Sequence, residues 1–112
     1  MPNHIVETSK ITLLPGIPEQ TLLAAFTKFK NEFLVHQPGF LKIELLRQND
    51  RQYLDLVHWQ SREHAARAFG RSADSEVCQA YFGLIEIDET DPEGGVTLYD
   101  PIASGEPAVC AD

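Results

Sequence analysis

Two segments with strand-like composition flank an Asn-Asp pair in the middle of the chain. Residues 40–48 and 51–60 are rich in Leu, Ile, Val and aromatic side chains, with polar residues interspersed. Asn49 and Asp50 lie between them, and both residue types tolerate the positive φ that a tight turn requires. The pattern therefore predicts a β-hairpin with a two-residue turn.

The predicted turn sets a register in which the two faces of the hairpin differ. One face pairs Glu44 with Asp55 and Phe40 with Trp59, and it also carries Lys42, Tyr53 and Val57. The other face carries aliphatic side chains: Leu41, Ile43, Leu45, Leu54 and Leu56. Since large apolar side chains occur on both faces, we expect helices to cover one face and a second copy of the chain to cover the other.

The segments before the hairpin predict one strand and one helix. Residues 4–14 are rich in Ile, Val and Thr, which is typical of a strand, and Pro15-Gly16 ends it. Pro18 suits the first turn of a helix. Apolar residues then recur at helical spacing: Leu22, Phe26, Phe29 and Phe33. Pro38-Gly39 ends this helix, because the residue before a proline avoids the helical region.

The segments after the hairpin predict a divided helix and a last strand. Ser61 is a typical N-cap for a short helix that ends at Gly70, and Asp74 is a typical N-cap for a second helix. Residues 84–88 fit either a helix end or a short strand, and residues 96–99 predict the final strand.

The predicted order of elements is β-α-β-β-α-β, with the second helix in two parts. This order indicates an α+β, ferredoxin-like fold, in which helices cover one face of an antiparallel sheet. We expect residues 1–102 to form one domain and residues 103–112 to form a flexible C-terminal tail.

Charge and composition narrow the range of partners. The chain has 112 residues, a formal net charge of −8 and a hydrophobic fraction of 43%. Such a negative field repels phosphate backbones and anionic lipid, so we expect neither a nucleic acid nor a membrane as partner. The first residues lack the layout of a signal peptide. The two cysteines, Cys78 and Cys110, do not suggest a disulfide framework, which favours a reduced, cytoplasmic location.

The sharpest chemical signal in the sequence is the predicted pairing of Glu44 with Asp55. Two buried carboxylates side by side would raise the pKa of one of them, as a general acid or base requires. The alternative is that Lys42 or Lys10 neutralises the pair, or that the pair points to solvent. His58 fits a dimer interface, a base or an edge position. No His or Cys spacing indicates a metal site.

Short motifs in and beside the hairpin resemble a known family. Pro38-Gly39-Phe40, residues 45–47 (Leu-Leu-Arg) and the W-x-S-x-E pattern at residues 59–63, with small residues after it, resemble the antibiotic biosynthesis monooxygenase (ABM) domain family. This family lies in the dimeric α/β-barrel superfamily, and the order of elements agrees over residues 4–100. The resemblance implies a homodimer through the sheet face.

The resemblance also implies a chemistry and a site. Some members oxidise aromatic or quinol substrates with molecular oxygen and without metal or flavin, so no cofactor is expected. It implies that Trp59 lines the substrate pocket. We expect Tyr53 and Phe40 to bind the substrate as well, with Asp55 or Glu44 as base or orienting group. In one branch of the family the position of Asp55 holds Asn. The haem-degrading branch carries a His at the position of Phe69, so a role with haem is not expected.

Two functions therefore remain open. The first is a cofactor-independent monooxygenase of the ABM type that acts on a small aromatic or quinol-like substrate. The second is a non-catalytic dimeric α/β barrel that binds a small molecule or has a stress-related role. The enzyme hypothesis requires an enclosed cavity between sheet and helices that touches Trp59 and Asp55, because solvent must be excluded from such a reaction.

Overall fold

The strand and helix signals described above produce a four-stranded sheet covered by helices on one face. The computed structural model describes residues 4–87, 90 and 95–107. Its elements are β1 (Ile5–Thr12), α1 (Glu19–Glu32), β2 (Phe40–Arg47), β3 (Gln52–Trp59), α2 (Arg62–Ser72), α3 (Glu76–Phe82) and β4 (Val96–Tyr99), with a short 3-10 helix at Leu34–His36. All strand pairs are antiparallel, in the order β2-β3-β1-β4. The predicted ferredoxin-like α+β fold is confirmed.

The predicted boundaries of the divided second helix are wrong by one or two residues. The helix α2 continues through Gly70 to Ser72. An isolated glycine costs a helix only about 1 kcal/mol, so Gly70 alone does not end it. Ser75, not Asp74, is the N-cap of α3, and its hydroxyl accepts from the backbone N–H of Cys78. Both residue types are good caps, so spacing alone could not choose between them.

The hairpin register is also wrong over most of its length, because the turn contains one residue more than predicted. The carboxamide oxygen of Asn49 accepts from the backbone N–H groups of Arg51 and Gln52, both at 3.0 Å. This Asx-type turn pairs Leu45, instead of Glu44, with Asp55. Between Phe40 and Lys42 the register shifts again, so Phe40 lies opposite Trp59 as predicted.

The shifted register redistributes side chains between the faces of the sheet. The face under the helices carries Ile5, Glu7, Ser9, Ile11, Ile43, Leu45, Tyr53, Asp55, Val57 and Trp59. The face without helices, here called the open face, carries Lys42, Glu44, Leu46, Leu54, Leu56 and His58. The aliphatic face predicted for the hairpin is therefore split, with Ile43 and Leu45 inside and Leu54 and Leu56 outside.

The backbone conformation and the close packing at Gly39 explain why the Pro38-Gly39-Phe40 motif contains a glycine. Its φ is +84°, and a Cβ added there would overlap the imidazole of His64 in the first turn of α2. The backbone N–H of Gln60 also donates to the Gly39 carbonyl at 2.8 Å. A residue without a side chain therefore lets the start of β2 pack directly against α2, beside the end of β3.

Ile85 forms an isolated antiparallel bridge with Leu13, which favours the strand alternative for residues 84–87, whereas Asp88 lies outside the described residues.

Residues 103–107 are exposed and form neither helix nor strand, and residues 108–112 of the predicted tail lie outside the described residues. Cys78 is free and buried, and Cys110 lies outside the described residues. No helix among the described residues is long and apolar enough to cross a bilayer.

Candidate active site

A cavity of about 680 Å³ lies between the helix-covered face of the sheet and the helices. Trp59 and Asp55 both line it, as the enzyme hypothesis requires. The cavity is not enclosed as that hypothesis expected, because lining residues such as Phe69 and Ile87 are largely exposed at its rim. Its apolar wall includes Phe29, Phe33, Leu34, Val57 and Ala68. The size and the lining suit a small aromatic ligand.

Asp55 is the most unusual group in this cavity. It lies in the middle of β3, between β1 and β2, and only 4% of it is exposed. The Tyr81 hydroxyl donates to Asp55 Oδ2 at 2.9 Å. Asp55 Oδ1 is buried and has no hydrogen-bond partner among the described residues. A buried acceptor left without a partner inside a cavity indicates a place for a ligand or water.

The surroundings of Asp55 bring its titration close to neutral pH. Burial, which disfavours the charged form, raises the pKa of Asp55 to about 7. The hydrogen bond from Tyr81 and the neighbouring Ser9 side chain oppose this increase, and the nearby negative charge of Glu7 adds to it. A carboxyl group with this pKa can take and return a proton under physiological conditions.

Glu7 is a second carboxyl group in the same cavity. Its Oε1 accepts from the Trp59 indole N–H at 2.8 Å. Burial raises the pKa of Glu7, and the hydrogen bond from Trp59 opposes that increase. On the sheet Glu7 pairs with Val57 and Ser9 pairs with Asp55, so the two acids are diagonal neighbours on one face.

Tyr81 connects α3 to the sheet at this point. Its ring is 1% exposed and stacks on Phe29, with centroids 4.6 Å apart and an interplanar angle of 13°. Burial and the neighbouring Asp55 raise the pKa of the Tyr81 hydroxyl, so it stays protonated and acts as a donor. It thereby holds Asp55 through one oxygen and leaves the other oxygen free.

The residues predicted for the site fall into three groups in the structure. Asp55 and Trp59 line the cavity. Tyr53 and Phe40 lie beside it without lining it: the Tyr53 hydroxyl donates to Glu19 at 2.8 Å, and Phe40 packs edge-on against Trp59 at 5.9 Å. Glu44 lies on the open face, where it is 3.5 Å from His58, because the three-residue turn moved it away from Asp55.

Sequence reasoning missed Glu7, Ser9 and Tyr81. A signal for Glu7 exists in the alternation of β1, because Glu7 lies on the same face of the strand as the buried residues Ile5 and Ile11. Tyr81 shares a helical face with Val77 and Leu84, which predicts burial but not a carboxylate partner.

The histidines lie elsewhere in the structure. His58 is on the open face, with its Nδ1 3.2 Å from His4 Nε2, and His64 Nδ1 lies 2.7 Å from the Ser61 hydroxyl. Within residues 4–87, 90 and 95–107, no group of three or more His, Cys, Asp or Glu side chains is placed to hold a metal ion.

The fold and cavity together define a class: a ferredoxin-like α+β domain with a pocket between its sheet and helices. The chain matches no protein-family model and no curated protein sequence. It is similar to SnoaB, a cofactor-independent oxygenase from Streptomyces nogalater, with a TM-score of 0.73, 17% identity, and coverage of 91% of this chain and 96% of that one.

Two further solved structures are of the same kind. A monooxygenase from the gene ActVA-Orf6 of Streptomyces coelicolor, in complex with nanaomycin D, has a TM-score of 0.63, 16% identity and coverage of 95% and 93%. A candidate antibiotic biosynthesis monooxygenase from Caulobacter crescentus has a TM-score of 0.68, 13% identity and coverage of 91% and 92%. Several structural neighbours are thus oxygenases or candidate antibiotic biosynthesis monooxygenases, and at these identities the similarity shows a shared fold.

Proposed function

We propose that the protein is a monooxygenase of the ABM type that oxidises a small aromatic, quinol-like substrate with molecular oxygen and needs no cofactor. The observation that carries this proposal is Asp55, a buried carboxyl group with a pKa of about 7 and a free oxygen in a largely apolar cavity. The fold shared with SnoaB, a cofactor-independent oxygenase, supports it.

In the proposed reaction Asp55 is the base. Its Oδ1 takes a proton from the substrate, and the resulting electron-rich anion gives its electron pair to oxygen and forms a C–O bond. Asp55 then returns the proton to the peroxide oxygen. The same carbon loses its second hydrogen as a proton while the O–O bond breaks, which releases water and leaves a carbonyl on the ring. The substrate supplies all four electrons that reduce O2, so the protein contributes the base, the orientation and a largely apolar environment.

The neighbours of Asp55 orient the base and the aromatic wall. Tyr81 holds Asp55 Oδ2, and Glu7 holds the Trp59 indole. Phe40 supports Trp59 from the edge, and Tyr53 is proposed to act through its packing beside the cavity. Of the two acids predicted as the base we propose Asp55, because Glu44 lies on the other face of the sheet.

Filling the cavity tests the enzyme hypothesis. Ala68 lines the cavity and is 3% exposed, whereas Ala66 on the same helix is exposed. We expect Ala68→Phe to lower kcat/KM by at least about tenfold, because the new ring occupies the position of the substrate. Oxygen uptake with a panel of quinols and anthrones is the measurement, and Ala66→Phe is the control.

The outcome also separates the two functions. Oxygen uptake with none of these substrates, combined with tight binding of the same compounds, would favour the non-catalytic binding protein. Uptake that is equal in both variants would show that oxidation does not occur in this cavity. Thermal unfolding of each variant checks that Ala68→Phe is folded, because overpacking a core costs about 1–3 kcal/mol.

We further propose a homodimer that buries the open face of the sheet. No helix among the described residues covers this face, and Leu46 on it is 48% exposed. Leu46→Glu should weaken the dimer roughly tenfold or more, because a charge would be buried in the interface. Sedimentation at micromolar concentration is the measurement. Leu23→Glu on α1, at 46% exposure, is the matched control, and a monomeric wild type would contradict the proposal.

A further inference from the structure

We infer that the cavity selects its ligand by charge: it takes neutral aromatic compounds that carry hydrogen-bonding groups and rejects those that carry a carboxylate. This inference rests on the proposed function and deepens it by naming the class of substrate. It concerns binding, so it is tested without turnover.

Two acids lie close together in the cavity. Glu7 and Asp55 come from adjacent strands and point to the same face of the sheet. Both line the cavity, together with Glu86 at its rim. Glu86 is paired with Arg51, whereas neither Glu7 nor Asp55 has an ion-pair partner among the described residues. At pH values above the pKa of Asp55 the interior of the cavity therefore carries negative charge without a paired cation.

A basic residue, Lys10, also borders the cavity, but it alternates with Ser9 along β1 and pairs with Leu54 of the open face. Its side chain therefore leaves the opposite face of the sheet. A ligand carboxylate in the cavity would meet two acids and, within the part of the chain that the structure describes, no ammonium or guanidinium group.

The free oxygen of Asp55 favours neutral ligands. A neutral hydroxyl on the ligand can donate to Oδ1 when Asp55 is ionised, and a neutral carbonyl can accept from it when Asp55 is protonated. Either contact satisfies a polar atom that is otherwise buried alone. A ligand carboxylate cannot donate to the ionised acid and is repelled by it, so binding of the anionic ligand costs free energy that the neutral ligand does not lose.

Binding of two naphthoquinones of equal shape tests the inference, one with a carboxamide and one with a carboxylate on the same ring position. Trp59 is the only tryptophan in the sequence and lines the cavity, so quenching of its fluorescence reports occupancy directly. At pH 8, without oxygen, we expect the carboxamide to bind at least tenfold more tightly than the carboxylate.

Two variants assign this difference to the cavity. Glu7→Gln should reduce the difference in affinity between the carboxamide and the carboxylate, because it removes one interior charge and keeps an oxygen that accepts from Trp59. This difference in affinity is called the gap below. Glu32→Gln, at the exposed end of α1, removes the same charge from the surface and should leave the gap unchanged. The wild type gives an independent readout: the gap should shrink at pH 5, where Asp55 is protonated.

Three results would overturn the inference: equal affinity of the two quinones, equal narrowing in both variants, or a gap that does not change between pH 8 and pH 5. Its failure is distinguishable from failure of the proposed function. Oxygen uptake without charge selection leaves the oxygenase standing, and charge selection without oxygen uptake leaves a selective binding protein.

Discussion

Turnover of a quinol or anthrone substrate should fall by about 100-fold or more when Asp55 is replaced by Asn, because removal of a positioned base costs a factor of this order. Asn keeps the shape of the side chain and can still accept from Tyr81. The loss would therefore report the missing proton acceptor and not a collapsed cavity. Oxygen uptake at saturating substrate, above pH 8, is the measurement.

The pH dependence of wild-type turnover strengthens this prediction. Only ionised Asp55 can accept a proton, and its pKa is about 7, so kcat/KM should rise with pH and level off above that value. The residual activity of Asp55→Asn should not show this rise. Glu44→Gln is the control, because that acid lies on the open face. Equal losses in Asp55→Asn and Glu44→Gln would contradict the assignment of the base.

The second large effect concerns stability. The pKa of Asp55 is about 7 in the folded protein, against 3.8 for an ordinary aspartate. The folded state thus binds the proton more tightly than the unfolded state. The stabilising contribution of protonated Asp55 is complete below about pH 4 and is lost as the pH rises through 7. Since each pKa unit corresponds to about 1.4 kcal/mol, we expect Asp55→Asn to gain roughly 2–4 kcal/mol relative to wild type between pH 4 and pH 8.

Urea unfolding at pH 4 and pH 8 measures this difference as a change in the free energy of unfolding. The variant should be distinctly more stable than wild type at pH 8 and lose that advantage at pH 4. Asp74→Asn, an exposed aspartate before α3, should give the same difference from wild type at both pH values. A constant offset between Asp55→Asn and wild type would show that Asp55 is not a strained buried acid.

The order of elements was predictable because it depends on local signals. Periodicity, prolines and caps lie within a few residues of the structure that they specify, so strands, helices and fold class followed from them. The register did not follow, because one carboxamide oxygen, that of Asn49, decides between a two-residue and a three-residue turn. A shift of one position then moved Glu44 to the other face.

Asp55 shows how the site was only partly predictable. The residue was selected for a pairing with Glu44 that does not exist, yet its burial and its raised pKa are present. The neighbouring charge comes from Glu7, 48 positions earlier, and the donor from Tyr81, 26 positions later. Both contacts depend on which strand lies beside β3 and where α3 packs. Such non-local facts leave no pattern in the sequence around Asp55.

The extra residue in β2, Leu41, compensates at one end of the hairpin for the length of the turn at the other end. The three-residue turn advances the pairing by one position, and the shift between Phe40 and Lys42 cancels that advance before Trp59 is reached. A two-residue turn without the shift would bring Phe40 opposite Trp59 just as well. The tip of the hairpin can therefore vary in length, provided that a compensating bulge appears or disappears. Trp59 in the cavity and Phe40 beside it then keep their positions.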